Sequence, residues 1–213
     1  MENSVVIGLT GQTGAGKSTV SIELAMEGCA IIDCDVLAHR VVEQSEPCKA
    51  ELAQQFGADI LDEKNHLNRK LLADRAFRSS EETERLNEIT HPYIWEALRK
   101  EIYALKRQKT DFIVLDAPTL LEAGGDKFCD FVMVVKAPET VRRERIIQRD
   151  HLTLEQADRR IHAQPPESFY THHADYVLDG TKGRDALSRK VRTILRSITG
   201  GYHAKRNSNT FSF

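Results

Sequence analysis

The sequence predicts an α/β fold in which a parallel sheet is covered by helices on both faces. Two observations carry that expectation. First, four short apolar segments, 5–9, 30–32, 112–115 and 131–135, are separated by stretches of helical apolar spacing. Strand alternating with helix builds parallel sheets, because each crossover returns the chain in the same direction. The segments at 112–115 and 131–135 are β-branched and nearly uncharged, as strands covered on both faces tend to be. Second, the first segment runs straight into a glycine-rich stretch, Gly11-Gln12-Thr13-Gly14-Ala15-Gly16-Lys17-Ser18, and a helical pattern follows it.

That stretch fits G-x-x-x-x-G-K-S in the strand–loop–helix setting that phosphate binding requires. Glycines let the backbone curl so that successive N–H groups point inward at a polyphosphate. The helix beginning at the loop adds free amides and the positive end of its dipole. Lys17 reaches the β and γ oxygens in such a loop, and the Ser18 hydroxyl ligates Mg²⁺. Gly11, Gly14, Ala15, Gly16, Lys17, Ser18 and Thr19 are therefore the candidate nucleotide-binding residues of a P-loop NTPase fold.

The remaining elements follow in order. The segment at 30–32 is a second strand, and Asp33 and Asp35 stand just past it. Residues 46–107 are mainly helical with no strand pattern. The segments at 112–115 and 131–135 are the third and fourth strands, and 141–163 is short, charged and helical before Pro165-Pro166 breaks the chain. Tyr176-Val177-Leu178 reads as an edge strand. Leu187, Val191, Ile194, Leu195 and Ile198 share one face of a C-terminal helix. Residues 200–213 are polar and aperiodic and read as a mobile tail. The expected organisation is a nucleotide-binding core from 1–45, 108–140 and 174–199, with insertions at 46–107 and 141–166. In a P-loop enzyme such insertions form an acceptor-binding subdomain and a lid; by composition they serve equally as helical packing layers.

Length and composition narrow the function. A chain of 213 residues allows one domain of ordinary size with inserted subdomains. The net charge of -2 gives no global reason to expect nucleic-acid or membrane binding, so any anion is held by local clusters. Cys29, Cys34, Cys48 and Cys129 show no C-x-x-C spacing, which fits reduced thiols in a cytoplasmic protein. No signal-peptide pattern opens the sequence, and its longest apolar runs are far below a membrane span.

Three clusters carry the expected chemistry. Asp116 ends the apolar run Phe112-Ile113-Val114-Leu115 at the strand end where ligands bind in open α/β sheets, and is a candidate metal ligand, directly or through water. Asp33 and Asp35 fall on one side if the chain stays extended there. Asp33 then suits the carboxylate that accepts the acceptor's proton, while Asp35 is equally a helix N-cap before Val36-Leu37-Ala38. Arg142, Arg143, Arg145 and Arg149 crowd one helix, with Arg145 and Arg149 sharing a face. Such a pair neutralises a transferring phosphoryl group, although interleaved acids also fit a solvated surface. His91-Pro92 looks like a helix start, and adjacent His172-His173 do not suggest a metal site.

Taken together these pieces resemble the dephospho-CoA kinase family. The matching residues are Gly8-Leu9-Thr10-Gly11 leading into the loop, Asp33-Cys34-Asp35, His91-Pro92, Asp116-Ala117-Pro118-Thr119-Leu120-Leu121-Glu122, the Arg145/Arg149 pattern, Arg160-Ile161 with Gln164, and Ala174-Asp175-Tyr176-Val177-Leu178-Asp179. The resemblance spans roughly residues 5 to 180 in order. It implies a kinase that uses MgATP to phosphorylate the ribose 3′-hydroxyl of dephospho-CoA, the last step of CoA synthesis. It further implies that Asp33 is the base, with Lys17 and Arg145 catalytic and Arg149 on the nucleotide. Asp33, Asp35, His91, Pro118 and Leu120 are its expected acceptor residues, and Ser18 and Asp116 its metal residues. The sequence departs from the family at Thr119, Leu121, Arg142 and Gly180. Another small-molecule P-loop kinase, acting on a nucleoside, nucleotide or sugar, is the alternative. A nucleotide switch is disfavoured by the absence of an N-K-x-D tetrapeptide.

Overall fold

A computed structural model describes residues 4–209, with side chains described as far as residue 200. It divides into two compact units, the first from residues 1–31 and 109–213 and the second from residues 32–108.

The sheet has five strands: β1 (Val5–Thr10), β2 (Ala30–Asp33), β3 (Phe112–Asp116), β4 (Phe131–Lys136) and β5 (Tyr176–Asp179), in the order β2-β3-β1-β4-β5. Every residue of β1 is buried, which is why it carries only apolar and small side chains between its neighbours. It pairs in parallel with β3, from Val5 opposite Phe112 to Leu9 opposite Asp116, and with β4, from Ile7 opposite Phe131 to Thr10 opposite Val134. β5 extends the sheet from β4 in parallel register, as an edge strand. Because the chain leaves β1 toward one side and later crosses to the other, the C-terminal end of β1 is the switch point where such sheets bind ligands.

Val5, Ile7 and Leu9 point to one face of β1, as the period of two requires. They meet Val20 and Leu24 of helix α1 (Lys17–Met26), together with the apolar stripe Leu187, Val191, Ile194, Leu195 and Ile198 of the C-terminal helix. On the other face Gly8 leaves room for Leu120 and Cys129, which a Cβ at that position would strike. The C-terminal helix has the bounds Arg184–Asn209. The expected mobile tail at 200–213 lies, beyond Gly200, outside the residues whose side chains are described.

The charged stretch after β4 is two helices, α6 (Glu139–Asp150) and α7 (Leu154–His162). His151 separates them in the left-handed conformation, at φ 53°, and a reciprocal capping box between Thr153 and Gln156 starts α7. Ile146, Ala157 and Ile161 form their small shared core. Pro165-Pro166 ends α7 as expected, but a short helix α8 (Glu167–His172), which no sequence pattern announced, begins directly after it. Proline is well suited to the start of a helix, where a missing N–H costs nothing.

The second unit is helical: α2 (Cys34–Gln44), α3 (Glu46–Phe56), a 3-10 turn at Ala58–Ile60, α4 (Arg69–Ala76) and α5 (Ser80–Arg107). Ser45, Asn68 and Ser79 cap α3, α4 and α5 with side-chain oxygens. Cys48, Leu52, Phe56, Ile60, Leu72 and Ala76 make its core. Arg75 forks onto both carboxylate oxygens of Asp59 at 2.7 Å. Lys49 is buried, and its ammonium is satisfied by the Asn65 carbonyl and by Glu46, each at 2.8 Å. His91-Pro92 corrects the expectation of a helix start. Both residues lie inside α5, and the His91 ring packs against Trp95 one turn later at 5.1 Å. A 28-residue helix absorbs the loss of one N–H donor that would break a shorter one.

Candidate active site

β1 carries the chain to the switch point, and the loop at 11–16 turns it into α1. The Ala15 N–H donates to the Gln12 carbonyl at 3.0 Å, closing a turn whose third residue is Gly14. Gly14 has φ 78° and Gly16, the N-cap of α1, has φ 102°, both in the region that favours glycine. No side chain caps α1, so its first amides are left for a ligand at the positive end of the helix. The phosphate cradle expected at Gly11–Ser18 thus takes shape as backbone donors around an open helix end.

Lys17 and Asp116 are ion-paired, with side chains only 19% and 13% exposed. Asp116 is the last residue of β3 and lies opposite Leu9 of β1 in the sheet register. Parallel pairing therefore brings together two groups that are 99 residues apart. Asp116, expected as a metal ligand, has a lysine as its partner here. Among the described residues no three His, Cys, Asp or Glu side chains cluster in a way that would hold a metal. The hydroxyl and carboxylate expected at Ser18 and Asp116 are of the hard oxygen type that Mg²⁺ takes beside waters and substrate phosphates.

The arginines of α6 separate by their partners. Arg145 reaches the loop: its Nη1 donates to the carbonyls of Gly14 at 3.2 Å and Ala15 at 3.3 Å, and its Nη2 to that of Gly180 at 2.9 Å. The Gly180 departure has a physical reason, since a Cβ there would collide with the Ala15 carbonyl oxygen. Arg149, expected on the nucleotide, forks onto Asp150 at 2.7 and 2.8 Å. Arg149 first, with Arg160 adding to it, holds the Asp150 carboxyl down at about 2. Arg142 is buried, and its Nε and Nη1 have no hydrogen-bond partner among the described residues.

The expected acceptor residues fall in both units. In the first, Pro118 accepts a bond from the Thr10 hydroxyl at 3.1 Å through its carbonyl. Leu120, expected to touch the acceptor, is buried against Gly8 and Gly125, so its side chain is core. Glu122 accepts a hydrogen bond from the hydroxyl of buried Tyr170, a partnership the sequence did not signal. Burial first, and then that carboxylate, push the Tyr170 phenol up. In the second unit the chain does not stay extended past β2. Asp33 ends the strand and is itself the N-cap of α2, accepting from the Val36 N–H at 2.9 Å, while Asp35 lies in the first helical turn. The cap role expected of Asp35 thus belongs to Asp33, because α2 starts one residue after the strand.

Comparison with known proteins bears on what this site serves. The Dephospho-CoA kinase family model matches residues 5–185. The chain is 39% identical to a dephospho-CoA kinase of Anaeromyxobacter dehalogenans, over 92% of this chain and 93% of that one. It is 42% identical to the dephospho-CoA kinase of Corynebacterium efficiens, over 90% of this chain and 96% of that one. A Thermus thermophilus crystal structure superposes with a TM-score of 0.79 at 30% identity, covering 92% of this chain and 98% of that one. With its P-loop at the switch point of a five-stranded parallel sheet and this match along most of its length, the chain belongs to the dephospho-CoA kinase family of ATP-dependent kinases.

Proposed function

We propose that this chain phosphorylates the ribose 3′-hydroxyl of dephospho-CoA with MgATP, giving CoA and ADP, in the cytoplasm. The observation that supports it most is the complete P-loop with Lys17 and Arg145 on it, in a chain matched to the family from residue 5 to 185. Amides of the loop and of the first turn of α1 bind the β- and γ-phosphates. Lys17 leaves Asp116 to neutralise them, and Arg145 supplies charge to the transferring group. Ser18 and Asp116 would hold Mg²⁺, which when bound neutralises phosphate charge. Asp33 accepts the proton of the acceptor hydroxyl as its oxygen bonds to phosphorus and the bond to the ADP oxygen breaks. Residues 46–107 bind the acceptor, with Asp35, His91 and Pro118 among the contributing residues, and 141–166 serve as the lid.

The test is ADP release and product identity with dephospho-CoA, a nucleoside, a nucleoside monophosphate and a sugar, each with MgATP. Dephospho-CoA is expected to be preferred by at least about a hundredfold in kcat/KM, about 2.7 kcal/mol of discrimination. A nucleoside monophosphate used as well as dephospho-CoA would overturn the reading. Labelled ATP in a single turnover is expected to deliver its γ-phosphate to the acceptor and not to water.

A further inference from the structure

The crown of the P-loop is held from outside the motif, by the segment that leaves α7. The Thr13 N–H donates to Gln164 Oε1 at 2.8 Å, and Gln12 Nε2 donates to the Pro165 carbonyl at 2.9 Å. The two bonds run between adjacent residues on each side, so together they fix both position and orientation. Gln12 is buried, at 7% exposure, and its side-chain amide would lose much if left unpaired there. Gln12 and Thr13 are the first two residues of the turn closed by the Ala15 N–H, so they set where Gly14 and the following amides point. The arm itself is stiff. Pro165 and Pro166 have fixed φ, and each restricts the residue before it, which includes Gln164. From the other side the Arg142 backbone of α6 crowds the crown, with its carbonyl oxygen 2.7 Å from where a Gly14 Cβ would be. The crown is therefore met by the first turn of α6 and by the segment that leaves α7.

The chemistry gives this arrangement a purpose. A phosphate cradle without its anion holds several N–H dipoles converging on one point, where they repel each other. Thr13 spends its N–H outward, on Gln164, and so acts as a strut and not as a phosphate donor. We infer that Gln164, acting with Gln12, is a positioning residue that holds the empty P-loop in its phosphate-binding shape, so that nucleotide binding does not have to order it. The inference rests on the P-loop being the nucleotide site, and deepens that reading by naming what preorganises it.

The test uses the full-length enzyme. In Gln164→Leu, which keeps the bulk of the side chain and removes its acceptor oxygen, MgADP affinity is expected to fall about five- to tenfold, from the loss of one buried hydrogen bond. KM for ATP rises by a similar factor, with kcat lowered less than about twofold, because the loss lies in shared binding and not in the transition state. Amide exchange of Thr13 in the nucleotide-free enzyme accelerates at least about tenfold. Gln164→Glu retains an acceptor oxygen and is expected to keep Thr13 protected in the empty enzyme. Gln12→Leu weakens MgADP binding in the same direction and stands in if Gln164→Leu fails to fold. The inference is overturned if MgADP affinity in the folded leucine variant stays within twofold, if Thr13 exchange is unchanged, or if Gln164→Glu exchanges as fast as Gln164→Leu. The MgADP-binding and Thr13-exchange measurements that decide the inference use no acceptor, so a failure of the dephospho-CoA assignment leaves them intact and is told apart from a failure of the clamp.

Discussion

Arg145 ties the P-loop down and is proposed to act on the transferring phosphoryl group, and two assays on its alanine variant separate these roles. Its guanidinium spans Gly14, Ala15 and Gly180, tying the loop to the turn after β5. The bond to Gly180 at 2.9 Å is of full strength, and a charged donor makes it worth about 1.5 kcal/mol. The two bonds from Nη1, at 3.2 and 3.3 Å, share one donor group and are worth about 0.5 kcal/mol each. Arg145→Ala is therefore expected to cost about 2.5 kcal/mol, which lowers the thermal midpoint of a chain this size by about 5–10 °C. Catalysis is expected to suffer more: loss of a charge aimed at the transferring group lowers kcat by about a hundredfold or more. Arg145→Lys keeps the charge but not the fork, and falls between wild type and alanine in both measurements. Calorimetry without nucleotide and steady-state kinetics with saturating MgATP are the two assays. A midpoint within about 2 °C of wild type refutes the strut, and a kcat within about fivefold refutes the role at the phosphoryl group.

Three further outcomes are expected. Asp33→Asn lowers kcat by about 10²–10⁴ while ATP affinity and stability hold, since asparagine caps a helix as well as aspartate does; turnover within fivefold of wild type removes Asp33 from proton transfer. Gly180→Ala forces a Cβ onto the Ala15 carbonyl and is expected to cost about 1–3 kcal/mol in denaturant unfolding and to weaken MgADP binding, whereas a neutral result shows that the β5 turn yields easily. Asp150 carries a carboxyl held at about 2, below its unfolded value, so its contribution is fully present above about pH 4 and disappears as pH falls toward 2. The melting difference between wild type and Asp150→Asn is accordingly expected at pH 6 and expected to close by pH 2; a difference that persists at pH 2 assigns Asp150 a role other than its ion pairs with Arg149 and Arg160.

Much of the fold was legible because its signals are local. All five strands are short, mainly apolar runs, and in β1, β3 and β4 burial leaves the interior positions little polar alternative. The P-loop was legible for the same reason, since glycine at 14 and 16 answers to backbone angles at those same positions. The misread features depended on distance or on context. Pro92 at a helix start is the ordinary setting for proline, and only the length of α5 reveals that it is interior. The cap role passes from Asp35 to Asp33 with a single residue in the position of the strand end. Helical spacing puts Arg145 and Arg149 on one face, but it does not reveal that Asp150 pairs with Arg149 while Arg145 reaches the loop carbonyls.

The same contrast applies within the candidate site. Lys17 and Ser18 can be recognised from eight residues, yet what holds their loop comes from far along the chain: Asp116 on Lys17, Arg145 and Gly180 at the loop carbonyls, Gln164 and Pro165 on the crown. A P-loop motif records which amides face a phosphate, because that is a matter of local backbone angles. How well those amides are held before the phosphate arrives is set by partners that local spacing does not reveal. Gly180 illustrates this: read alone it is a departure from a family pattern, and beside the Ala15 carbonyl it is the residue that the approach of β5 to the loop requires. Residues that tune nucleotide affinity in this chain are therefore to be sought among the partners of the loop, at 142–145, 164–165 and 180, and not only within the motif.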